Sequence, residues 1–135
     1  ECVIKQGGLV IDSGDEIYNE YLHNLCLSGQ KGIGNAFMKW VHDNRWRLPD
    51  SDRVTISKND DSYKEFPDHE GLVNFDISDR KFVAVANAHP KKPPILQSTD
   101  CKWWGWKNAL EDVGITVCFL CPEYVKDKYK KKIGL

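Results

Sequence analysis

Short apolar runs alternate with amphipathic stretches along nearly the whole chain, and this alternation most narrows the folds open to it. "GLVID" (8–12), "RVTIS" (53–57), "ILQS" (95–98) and "ITVCFL" (115–120) have the length and apolar content of strands. "SGDEIYNEYLHNLCL" repeats Ile17, Tyr21 and Leu25 every four residues, with Asp12, Ser13 or Asp15 as its cap. "NAFMKWVHDNRW" (35–46) sets Phe37 and Val41 on one helical face with Trp40 beside them, and Pro49 stops it. "SDRKFVAVANAH" predicts a helix with Ser78 as N-cap, Phe82 and Ala86 toward the core, and Pro90 beyond its end. "CKWWGWKNALEDVG" predicts another, closed by Gly114. The acidic "KNDDSYKEFPDHEG" reads as a loop and "PKKPP" as an extended link. Strands and helices in alternation predict an α/β fold, a mostly parallel sheet covered on both faces.

A length of 135 residues suits a single domain with a real core, and the net charge of −1 announces no polyanionic partner. Charge is nevertheless segregated. "KDKYKKK" holds five lysines within residues 126–132, which reads as a solvated, frayed end more readily than as a phosphate-contacting arm. No apolar run approaches the ~20 residues of a membrane span. "ECVIKQGG" has no signal-peptide architecture and no initiator Met, so the chain is read as starting inside a longer one. Five cysteines, an odd count, point to reduced thiols and a cytoplasmic protein, with Cys118 and Cys121 in a buried strand. The four histidines are dispersed, no Walker loop, nucleophile elbow or dinucleotide fingerprint is present, and "GQKGIGN" (29–35) reads as a loop. Trp103, Trp104 and Trp106 are read mainly as core, with base stacking as the alternative.

In open α/β sheets, ligands gather where strands end and helices begin. Asp12 and Asp100 follow apolar runs, Asp79 opens a helix, and Glu20 lies one to two turns into another. Clustered carboxylates repel unless protons or cations neutralise them, and hard Mg²⁺ or Mn²⁺ ions bridge them to phosphate oxygens. Helix capping alone also favours Asp at a helix start, by about 0.3–1 kcal/mol. Spacing leaves both readings open.

"FDISDRKFVAVANAHPKKPPILQSTDCKW" resembles the PIN-like domain family, the fold of many bacterial toxin-type ribonucleases. The resemblance rests on Asp79 opening a helix with Ala84 and Ala86, then a strand with Ser98 two residues before Asp100. "VIDSGDEIYNEYLHNL" is similar to the segment supplying the family's second acid; Glu20 matches best, and Glu16 lies one turn earlier. Two departures stand out. The family's usual first strand, ending in Asp-Thr-Asn, does not precede residue 1, so the domain is read as N-terminally incomplete or degenerate. Lys102 occupies a position where many members carry another acid.

The resemblance implies a three-layer sandwich and a metal-dependent endoribonuclease. Asp79, Asp100 and Glu20 would bind Mg²⁺ or Mn²⁺, Ser98 would orient a carboxylate or water, and Lys102 and Arg80 would contact nucleic acid. RNA, an antitoxin protein covering the acidic pocket and a second copy of the chain are the implied partners. Two other classes compete: a non-catalytic α/β module whose acids only cap helices, and an acidic-pocket phosphatase.

Overall fold

The fold is seen in a computed structural model that describes residues 8–24 and 33–134. The expectations for Leu25, Cys2 and Cys26 lie outside the described residues. The chain is mixed α/β and divides into two compact units, Glu1–Ile56 and Ser57–Leu135.

In the first unit, strand β1 (Ile11–Asp12) leads into helix α1 (Glu16–Asn24), helix α2 (Ile33–Asn44) and strand β2 (Arg53–Val54). The strands pair in parallel, Ile11 opposite Arg53 and Asp12 opposite Val54, so the helices form the crossover that parallel strands require. Helix α2 takes in the end of the stretch read as a glycine loop. Tyr18, Met38 and Val41 are buried between the two helices, and Phe37, Trp40 and Tyr21 pack around them. Tyr21 meets Phe37 edge-on at 5.3 Å. Burial pushes the Tyr21 phenol up to about 12.

Of the three candidate caps for α1, Asp12 does the work. Its carboxylate is 1% exposed, yet it accepts the backbone N–H groups of Glu16 and Ile17 at 2.9 Å each. Those two donors have no partner within the helix, and the positive end of the helix dipole offsets the cost of burying the charge.

The second unit opens with an antiparallel hairpin of β3 (Lys58–Asn59) and β4 (Ser62–Tyr63), inside the stretch read as loop. Asp60 makes its tight turn at φ +54, a left-handed conformation that Asp tolerates. Helix α3 (Arg80–Ala88) buries Val83, Ala84, Val85 and Ala86. Strand β5 (Ile95–Gln97), helix α4 (Lys102–Asp112) and strand β6 (Val117–Phe119) form a parallel βαβ unit, with Ile95 opposite Val117 and Gln97 opposite Phe119. Gly114, at φ +82, ends α4 by donating to the Glu111 carbonyl, while Ile115 donates to Leu110. That pairing is a Schellman motif, which needs a left-handed residue at this position. The core gathers Leu72, Phe75, Val83, Ala86, Trp103, Leu110 and Ile115.

The structure corrects two expectations here. The lysine-rich end is helix α5 (Pro122–Lys132), not a frayed tail: Pro122 starts it, and Val125 is fully buried. Cys118 and Cys121 are exposed rather than core residues. Leu96, the register partner of Cys118, is 56% exposed on the same face. Among the described residues the strands form three two-stranded sheets, two parallel and one antiparallel. No helix among them is long and apolar enough to cross a membrane.

Candidate functional site: carboxylates around one ammonium

In the second unit the Lys102 ammonium pairs with Asp76 and feels the charges of Asp79 and Asp100. A 3₁₀ turn, Ile77–Asp79, runs directly into α3, and Asp76 caps that turn by accepting the Ser78 N–H at 3.2 Å and the Ser78 hydroxyl at 2.9 Å. Ser78, expected as the cap, is thus the donor. The second Asp76 oxygen lies 3.1 Å from the Lys102 ammonium. The Ser78 hydroxyl bond, followed by Lys102, holds the Asp76 carboxyl below its ordinary value. Asp76 in turn raises the Lys102 ammonium, chiefly through the shared hydrogen bond, and the charges of Asp100 and Asp79 add to the effect.

Asp79 stands at the junction of the 3₁₀ turn and α3 and makes no capping bond from its side chain. Its carboxylate accepts the indole N–H of Trp103 at 3.2 Å. Trp103 is almost fully buried and meets Phe75 edge-on at 5.0 Å, so a rigid core residue fixes the carboxylate. Asp100 lies beyond the end of β5 and accepts the Lys102 backbone N–H at 3.1 Å, which ties it to the first turn of α4. Ser98 is exposed two residues earlier, its backbone N–H bonded to the Gln97 side chain. Glu20 is half-buried on α1, in the first unit.

Arg80 turns away from this cluster. Its guanidinium donates to the carbonyls of Val73 and Phe75 and lies 4.8 Å from the centre of the Phe66 ring. Its donors brace the 73–75 segment. Asp76 is the residue the sequence reading missed. Its signal was an Asp-x-Ser step ahead of a helix, the pattern of a side chain bonding to backbone two residues on.

Lys102 also lines a cleft of about 690 Å³ with Lys128, Lys131 and Lys132 of α5. Among the described residues, Asp100 is the one carboxylate along its wall. Acids therefore stand beside a cationic recess. Hard carboxylate oxygens suit Mg²⁺ or Mn²⁺. Among the described residues, however, no three His, Cys, Asp or Glu side chains group as a ready metal cage. The cation these carboxylates share here is an ammonium.

No family model, curated protein or solved structure matches the chain.

Proposed function

We propose that the chain is a PIN-like, metal-dependent endoribonuclease domain with a three-layer α/β sandwich fold. The observation that supports this reading is Asp100, tied to the Lys102 backbone N–H, and the Asp76–Lys102 ion pair beside a lysine-lined cleft. Acids that already attract one cation supply oxygens for another, and neighbouring lysines attract the phosphate that such an ion would act on.

Asp79 and Asp100 are the proposed Mg²⁺ or Mn²⁺ ligands. Bound there, the ion would supply an activated water and neutralise charge developing on the phosphodiester. The chain's own residues have distinct duties. The Trp103 indole holds the Asp79 carboxylate, the Lys102 backbone N–H holds Asp100, and the Lys102 ammonium offsets negative charge until phosphate or metal arrives. The work is cytoplasmic RNA cleavage without a covalent intermediate, and an antitoxin protein would silence it by covering the acids.

The Asp76–Lys102 ion pair favours a second reading, a non-catalytic RNA-binding module whose acids are neutralised permanently. Incubation of labelled single-stranded RNA with the chain and Mn²⁺ separates the two. The nuclease reading expects cleavage that stops with EDTA and falls by at least about a hundredfold in Asp79→Asn and Asp100→Asn. Intact RNA throughout, with retained binding, establishes the module.

A further inference from the structure

The lysine cleft adjoins a second recess of about 320 Å³, lined by Lys102, Gly105, Trp106, Tyr129, Lys132 and Ile133. The two share Lys102 and Lys132. Their chemistry differs: the first is lined mainly by ammonium groups, the second by aromatic and aliphatic surface with ammonium groups at its edge.

Packing fixes both. Val125 is buried and Tyr129, one turn further along α5, lies against the α4 backbone at Gly105. A Cβ at position 105 would stand 2.6 Å from the Tyr129 hydroxyl and push the ring off this contact, so glycine permits the close approach. With α5 anchored this way, Lys128, Lys131 and Lys132 stand three and four residues apart on one helical face. Trp106 is half-buried and braced against Phe75, 4.5 Å between ring centres. Its ring is held in place before any ligand arrives.

Lysines in the last turn of a helix suit the negative end of its dipole, which accounts for Lys130, Lys131 and Lys132 as helix formers. It does not account for Lys102 of another helix facing the same cleft, or for an aromatic recess sharing two of these lysines. Lys128, Lys131 and Lys132, beside a Lys102 that pairs with Asp76, gather positive charge locally in a chain whose net charge is −1. A row of cations beside aromatic surface matches a polymer that alternates phosphate with a flat base.

We propose that the two recesses form one binding site for single-stranded RNA, the lysine cleft holding consecutive phosphates and the Trp106–Tyr129 recess taking a base. The proposal deepens the ribonuclease reading and rests on it for the polymer's identity as RNA. The binding needs no divalent ion, so it is measured apart from cleavage.

The experiment is fluorescence polarisation of a labelled oligouridylate with the full chain in EDTA, across a range of KCl concentrations. The wild-type chain binds, and Lys128→Gln/Lys131→Gln/Lys132→Gln weakens binding by at least about tenfold and lowers the salt slope by about 2, near 0.7 per phosphate contact. Exposed lysines of the same unit serve as the charge control: Lys58→Gln/Lys64→Gln/Lys91→Gln stays within about twofold of wild type, since these lie outside both recesses. Tyr129→Leu loses about fivefold or more, whereas Tyr129→Phe retains binding because the ring stacks and the hydroxyl does not. Far-UV circular dichroism confirms that each variant is folded; a Tyr129→Leu chain that unfolds leaves the lysine triple to decide. Absence of wild-type binding, equal losses in the two lysine triples, or equally good competition by polyglutamate overturns the proposal. Binding as described without any RNA cleavage would instead count against the nuclease alone.

Discussion

At the scale of single residues, two aspartates show how one side chain type takes different work from its surroundings. Asp12 is sealed from solvent and holds two backbone N–H groups. Replacing it with Ala leaves both donors without their partner, the Ile17 N–H buried, so Asp12→Ala should destabilise the chain by about 1–2 kcal/mol in urea titrations, and Asp12→Asn by less. Equal stability of Asp12→Ala and wild type would contradict the capping role. Asp76 is instead tuned by Ser78 and Lys102 at the surface of its unit. Its folded carboxyl lies below the unfolded value, so its contribution is present above pH about 4 and fades as pH falls through the folded value. Lys102 behaves in the opposite sense: its raised value keeps its contribution below pH about 10 and loses it as pH climbs further. The stability gap between wild type and Asp76→Asn should therefore be open at pH 7 and narrow as pH falls through the folded value in denaturant titrations. A gap that does not change with pH would remove the ion pair from the account.

The elements differ in how plainly the sequence announced them. Helices α1 to α4 were legible because apolar residues recur at helical spacing and identifiable residues bound them, such as Gly114 after α4. Gly114→Ala forces a Cβ into the left-handed region and toward the Lys92 ammonium at 3.2 Å, so a loss of about 1–2 kcal/mol is expected in thermal or urea unfolding. No loss would mean that α4 ends by other means. Helix α5 was hidden by its lysines, although Val125, Tyr129 and Ile133 repeat every four residues. A narrow apolar stripe is enough when it meets a glycine on the neighbouring helix. The β3–β4 hairpin was hidden for the reverse reason: its "NDDS" turn lacks glycine, and each strand is two residues long. Cys118 misled because an apolar strand of three residues can leave its middle side chain exposed.

For the molecule as a whole, alternation of strands and helices gave the mixed α/β class and the parallel pairing of β1–β2 and β5–β6. It did not reveal the division at residue 56, because no composition shift or linker marks it. The site was legible in part. Asp79, Asp100 and Lys102 were singled out and affect one another electrostatically, Asp76 joined them only through folding, and Arg80 braces the 73–75 segment. Spacing cannot show which atom a carboxylate faces.

The proposed divalent-cation site at Asp79 and Asp100, near the Lys102 charge, is tested most directly by isothermal titration of the full chain with Mn²⁺. Saturable binding is expected, abolished in Asp79→Asn and in Asp100→Asn, and strengthened by at least about threefold in Lys102→Gln, which removes the competing charge. Binding that is the same in all four proteins would contradict the claim.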